Sequence, residues 1–343
     1  MIKTEAEVPA IMRQSRQLAE SGAWDEAIEL LTEANRQVED GRLETRLVRY
    51  RHIAFDELQL PQPSAHWSQP VPDHFADTKL VPEVQAADLS VEVVRSAIKH
   101  HGSLIVRGLF KSDACKVMRD SIDEAFAASE AVAGQKEFEP TPWFTHFVQQ
   151  RRLGYVFGGA ERYFVTFGAG VLAVDSPRAL FRFIECLKDA GFDRFLHDYF
   201  GERPALSAKK STLRRTPPDA KAGWHQDGGY FRAEVRALNL WAAFSPCGKD
   251  APSIDMFTIP FDHIVKQGGP GIDDTAVAIE TAESYGKENI QRLQFEEGDG
   301  LLFDEMALHQ TGADASMTQT RYAMEMWFFA SSMFPREQVP LYL

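Results

Sequence analysis

The sequence predicts a mainly β core with flanking helices, and three observations carry that expectation. From Gly201 onward, short runs rich in Val, Ile, Leu, Phe and Trp are separated by Gly, Pro and Asp, the pattern of a sandwich or small barrel. Before Leu58, apolar residues recur at helical spacing instead. Within the β part, His225 and Asp227 form a His-x-Asp triplet, and His309 and Arg321 follow on further β-type runs.

Taken in order, residues 1–58 form a helical extension. Val8, Ile11, Met12, Leu18 and Ala19 make one stripe, Ser21-Gly22 breaks it, and Trp24, Ala27, Ile28, Leu31 and Ala34 make a second. Asp25 and Glu26 stand where the helix dipole favours acids. A third stripe, Leu43, Leu47, Tyr50, Ala54 and Leu58, follows Asp40-Gly41. Gly22-x-Trp24-x-x-Ala27 is similar to part of a tetratricopeptide unit, but about one and a half units are too few for a solenoid. These helices are expected to pack on the catalytic domain, on a second subunit or on a protein partner.

Residues 59–84, with Pro61, Pro63, Pro70, Pro72 and Pro82, are expected to be a linker or an extended cover. Residues 85–343 form the main domain. It should begin with a short helix over 91–99, a strand over 101–110 and a helix capped by Ser112 or Asp113. Periodicity fails over 129–162, which suggests a lid. A strand is expected over 162–168, and a helix capped by Ser176 should run to about Tyr199. Strands are then expected over 205–215, 235–245, 254–260, 276–280, 290–295, 300–306 and 321–330, with a mobile loop at 266–271.

Hydrophobic content of 44% and charged content of 25% allow a sizeable core. A net charge of −13 repels polyanions, which argues against nucleic acid or an anionic membrane as main partner. There is neither a secretory pattern at the start nor an apolar run of about 18 residues, so a soluble, cytoplasmic protein is expected. The 3 cysteines, Cys115, Cys186 and Cys247, lack Cys-x-x-Cys spacing and suggest buried free thiols.

Positions two apart on a strand face the same way, so His225 and Asp227 can both point into a barrel mouth, with His309 approaching from a partner strand. Two imidazoles and a carboxylate cover one face of an octahedral ion and leave the opposite face open, which suits ferrous iron. Zinc could use the same ligands, but Arg321 would then lack an obvious task. A guanidinium is costly to bury without an anion and its fork matches a carboxylate. Glu325, about 13 Å along the same strand, is a poor partner for it. A structural salt bridge is the alternative. Lys209, Lys210, Arg214 and Arg215 are expected on a solvated strand edge, with contact to an anionic substrate as the alternative. His263 falls outside the ligand pattern, and Cys247 has no base nearby in sequence.

His225-Gln226-Asp227, then 238–244 (LNLWAAF), then 298–304 (GDGLLFD), then His309-x-Thr311 with Arg321 following, resembles the phytanoyl-CoA dioxygenase branch of the iron(II)/2-oxoglutarate oxygenases. The run 105–110 (IVRGLF) is similar to that branch's opening strand, and the likeness spans roughly 85 to 335. The resemblance implies a double-stranded β-helix of jelly-roll or cupin type. In it His225, Asp227 and His309 would hold Fe(II), and Arg321 would pair with the distal carboxylate of 2-oxoglutarate. Thr311 would place a hydroxyl beside that carboxylate, while Gln226 and Trp241 would line the pocket. The implied activity is hydroxylation of a small-molecule or carrier-bound metabolite by O2, with release of succinate and CO2. Asp227 stands where halogenating relatives carry a small residue, which favours hydroxylation or a related oxidation. Two other classes fit fewer of these residues: a silent barrel that acts with its helical arm as an interaction protein, and another metal-dependent cupin enzyme such as an isomerase.

Overall fold

The computed structural model describes residues 7–57, 59, 62, 69–149, 159–220, 223–231, 235–268 and 276–343. The three expected stripes form α1 (Val8–Glu20), α2 (Trp24–Val38) and α3 (Gly41–Glu57), with Leu58 of the third outside the described residues. They close on one another through Val8, Ile28, Leu31, Leu43 and Leu47. They also dock on the body of the molecule. Glu44, 1% exposed, receives Arg178 at 2.9 Å and Asn35 at 3.3 Å. Arg182 clasps Glu39, and both arginines stack on Trp143 at 5.1–5.5 Å. From α3, Arg51 Nη1 donates to Tyr342 O and His52 Nδ1 meets Pro340 O, each at 2.9 Å.

Pro61 and Pro63 lie outside the described residues. From residue 69 on, the Pro-rich stretch lies along α4 (Val91–His101), where His74 N donates to Ser96 Oγ and His101 Nε2 meets Asp73. It ends in β1 (Glu83–Gln85), parallel to β2 (Ser103–Arg107). Next come α5 (Ser112–Ala131), α6 (Gly159–Phe167), β3 (Gly170–Leu172), α7 (Pro177–Asp189), α8 (Phe192–Phe200) and β4 (Pro204–Thr216). The remaining elements are β5 (Ala237–Ala243), β6 (Ser253–Phe257), α9 (Ile279–Glu283), β7 (Ile290–Arg292), β8 (Gly300–Phe303), β9 (His309–Gly312), β10 (Arg321–Ala330) and β11 (Pro340–Tyr342).

The strands make a mixed sheet ordered β1-β2-β8-β5-β10-β4-β11, with β3 also on β4, and a smaller sheet ordered β7-β6-β9. Alternation along β10 assigns the faces. Met324, Met326 and Phe328 join the core under α4, α5, α7 and α8, while Ala323, Trp327 and Phe329 join the core facing the smaller sheet. Arg321 is in phase with that second, interior set. One corner is knotted by Asp299, which takes Arg107 Nη1 at 2.5 Å and Gly108 N at 2.9 Å. Gly298 beside it, at φ +93°, has no room for a side chain because a Cβ would stand 2.2 Å from Phe110 O.

Several expectations fail. The span 162–168 is helix α6, not a strand; Arg162 is forked onto buried Asp175, which ties that helix to the turn after β3. The span 276–280 supplies only a bridge, Val277 to Trp224, before turning into α9. The helix expected up to Tyr199 breaks at Gly191, which has positive φ. The cap of α5 is Lys111, without a side-chain bond, and Ser112 is already helical. Of the expected lid, 150–158 lies outside the described residues; Phe144 and Phe147 are buried, and Phe147 N donates to Asp175. Of the expected mobile loop, 269–271 likewise lies outside them.

Candidate metal centre

His225 and His309 meet in an isolated antiparallel bridge that joins the start of β9 to the segment after β4. His225 N donates to His309 O at 2.9 Å, His309 N donates back at 3.1 Å, and the ring centroids stand 4.4 Å apart. Each Nδ1 faces a backbone oxygen, Gly223 O for His225 at 2.9 Å and Ala307 O for His309 at 3.0 Å. Carbonyls only accept, so both Nδ1 atoms carry the proton and both Nε2 lone pairs are left for a third party.

Asp227 does not lie on a strand as expected. It opens a single 3-10 turn, Asp227–Tyr230, so its carboxylate is aimed by that turn rather than by strand alternation. The turn is held by Gly228 N on Glu305 O at 2.8 Å; a Cβ on Gly228 would stand 2.8 Å from Ile264 Cδ1 and 3.0 Å from Glu305 O. The ligand atoms of His225, Asp227 and His309 all lie within 4.8 Å of one another. Asp227 is 1% exposed, and its Oδ2 has no hydrogen-bond partner although it sits 3.8 Å from His309 Nε2. An orphaned buried carboxylate oxygen beside two Nε2 lone pairs is costly by itself and fits a divalent cation.

The local charges agree. Burial pushes Asp227 upward, but Lys210 and then the two imidazoles outweigh it and hold the group at about 2. Burial, followed by the neighbouring His225, pushes His309 down to about 4. At neutral pH Asp227 is therefore an anion and His309 a neutral donor.

Lys210 is the residue that sequence reasoning missed. β4 lies between β10 and β11, so its basic residues do not line a solvated edge. Lys210 Nζ donates to Asp227 Oδ1 at 2.8 Å and sits 3.7 Å from the Tyr230 ring centroid. Arg214 pairs with Glu325 at 3.1 Å, and Arg215 with Glu130 at 2.5 Å. A lysine inside a buried strand was a signal, but the register shift between Met326 and Phe328 hides which way it points.

Arg321, at the start of β10, is 5% exposed. Nη1 donates to Ser253 O at 2.9 Å, Nη2 to Thr216 Oγ1 at 3.0 Å, and Nε has no partner. Among the described residues no carboxylate pairs with it, and burial pushes it down to about 10. Trp241 stands 5.2 Å from its Cζ. Thr311 lies two residues along β9 from His309, on the same strand face, but the hydroxyl that touches Arg321 is Thr216's. Gln226 is buried. Its Nε2 donates to Met306 O at 2.7 Å and His263 O at 3.1 Å, and its Oε1 accepts from Val265 N at 2.7 Å, so the amide is spent on the backbone.

Two further interior groups lack partners. Both amide atoms of Asn239 and the Nε1 of Trp327 are buried without a hydrogen bond. Asn239 pairs in register with Trp327 and Phe303, and Phe303 stacks 5.0 Å from His309. His263 is outside the cluster, held by Asp262 and Tyr285, and Cys247 is pushed up to about 11 by burial, so it is no nucleophile.

A search of the curated proteins finds no match to this chain. Among solved structures, it is similar to the epimerase SnoN in complex with Fe3+, alpha ketoglutarate and nogalamycin RO, at 14% identity and TM-score 0.41, covering 70% of this chain and 83% of that one. It is similar also to the non-heme alpha ketoglutarate dependent carbocyclase SnoK, at 11% identity and TM-score 0.46, covering 72% and 86%. A third is the non-heme monooxygenase ThoJ in its nickel complex, at 12% identity and TM-score 0.42, covering 68% and 75%. Likeness at that level transfers no property to this chain. The family profile is a different matter, because it matches residues 98–322, well over half the chain, and spans His225, Asp227, His309 and Arg321: the chain belongs to the phytanoyl-CoA dioxygenase (PhyH) family.

Proposed function

We propose that this protein is an Fe(II)/2-oxoglutarate-dependent dioxygenase that hydroxylates a small-molecule or carrier-bound metabolite and releases succinate and CO2. One observation carries the reading: between the two sheets, a three-residue ligand set has an orphaned carboxylate oxygen, and a buried guanidinium has no carboxylate partner among the described residues. A metal ion and a dicarboxylate complete both at once.

In this reading His225, Asp227 and His309 hold iron, and Lys210 fixes the carboxylate so that Oδ2 is the atom presented. Arg321 pairs with the distal carboxylate of 2-oxoglutarate, oriented by Ser253 O and Thr216 Oγ1. Trp241 walls that end, and Thr311 would add its hydroxyl from β9. Asn239 and Trp327 supply polar atoms still to be satisfied by ligand or water. When bound, iron supplies the oxygen activation that couples 2-oxoglutarate decarboxylation to insertion of one oxygen atom into a C–H bond. The chain's own part is to bind, orient and exclude water. A cytoplasmic setting is part of the proposal. No helix among the described residues is long and apolar enough to cross a membrane.

The test is succinate release from 2-oxoglutarate with iron, ascorbate and O2 across a metabolite panel, with His225→Ala as control. Succinate formed by the wild-type chain and absent from the variant is the expected result. Equal amounts from both, or none from either, would reject the proposal.

A further inference from the structure

Away from the metal centre, a cavity of about 580 Å³ opens between α2, α3, α7 and α8, of the size that binds small molecules. Its inner wall is apolar, from Ile28, Ile184, Leu187 and Leu196, all buried. Five cationic side chains line it, and Arg51 is the most buried of them. Arg51 is 5% exposed and uses one donor atom, Nη1, on Tyr342 O; among the described residues no carboxylate pairs with it. Arg51 itself lines the cavity. Lys188 has only a 3.5 Å contact with Glu185, a carboxylate already taken by Arg36.

Glu185 and Asp25 favour the charged form of Arg51, but each is already held by another arginine. Glu33 is bound by Arg36, Asp25 by Arg203, and Arg203 also donates to Leu343 O. Glu29, Asp193 and Arg194 stand on the exposed rim. Burial and then Arg203 push Arg51 down to about 10, and burial and then Arg51 push Lys188 down, so the two cations repel each other. A guanidinium this deep is expected to face an anion.

We infer that this cavity is a second binding site, separate from the metal centre, for a small organic monoanion with an apolar body, its head on Arg51 and Lys188 and its tail against Ile28, Ile184, Leu187 and Leu196. Such a ligand ties the helical arm to the body, because Ile28 and Arg51 belong to the arm and Lys188 and Leu196 do not. The inference stands independently of the proposed activity.

The probe is octanoate, titrated into the full chain by calorimetry and by thermal shift with 2-oxoglutarate and Mn(II) saturating, and octanamide is the uncharged control. The expected result is saturable one-to-one binding with a rise in Tm. Binding should be at least about tenfold weaker for octanamide and for Arg51→Gln and Lys188→Gln. Lys188 is partly exposed, so its variant keeps the test open if Arg51→Gln fails to fold. No saturable octanoate binding, equal binding of octanamide, or unchanged binding in the folded variants would overturn the inference.

Discussion

Glu44 and Arg321 are almost equally buried, at 1% and 5% exposure, yet one is surrounded by partners and the other is not. Glu44, in the seam between helical arm and body, receives Arg178 and Asn35. Arg321, between the two sheets, has two neutral oxygen acceptors, an idle Nε and no carboxylate among the described residues. Asp227 repeats the interior pattern, with one oxygen on Lys210 and one on nothing. Matched charges hold two parts of a chain together, whereas unmatched ones mark where something from outside completes the set.

Substitutions on the two sides should therefore fail differently. Asp227→Ala should have the largest effect, lowering Mn(II) affinity by about a thousandfold in calorimetry while leaving Tm of the metal-free protein little changed. A large Tm loss would mean that the carboxylate is structural. Arg321→Met should raise the KM for 2-oxoglutarate by about a hundredfold, the worth of two charge-assisted bonds, without altering Mn(II) affinity. An unchanged KM would place the co-substrate elsewhere. Glu44→Ala should do the opposite and cost about 2 kcal/mol of stability in urea unfolding, discounted because Arg178 is partly exposed, with kcat/KM of the folded protein intact. Lys210→Met should weaken Mn(II) binding by about tenfold, the lost hydrogen bond outweighing relief of repulsion because the carboxylate is then free to turn.

The smallest effect concerns pH. Burial lowers the His52 pKa in the seam. The unfolded chain takes up this proton as pH falls below about 6.5, and the folded chain only at lower pH. The stability that His52 contributes is thus present above that value and lost as pH falls through its folded pKa. His52→Gln should flatten the fall in urea midpoint between pH 7 and 5, and an unchanged slope would assign it to other groups.

Much of this was legible in the chain because alternation is strict where both faces of a strand are covered. β10 has the bounds expected for it, and Arg321, Trp327 and Phe329 follow from its phase. The three N-terminal helices were equally plain from their stripes. What escaped was set by tertiary contact. α6 is short, and its hydrophobic run suits either conformation until Arg162 meets Asp175. Asp227 reaches the histidines from a 3-10 turn, which two-residue spacing alone imitates. Gln226 is adjacent to two ligands in sequence, yet its amide is spent on the backbone of Met306, His263 and Val265. Lys210 is hidden by a register shift in the strand pairing, and no local pattern reports that.

The most direct test follows visible absorption while 2-oxoglutarate is added, without oxygen, to the Fe(II)-loaded protein. The account predicts a saturable charge-transfer band, absent in Asp227→Ala and displaced to far higher 2-oxoglutarate in Arg321→Met. A wild-type protein that binds iron and shows no band at any 2-oxoglutarate concentration would contradict it.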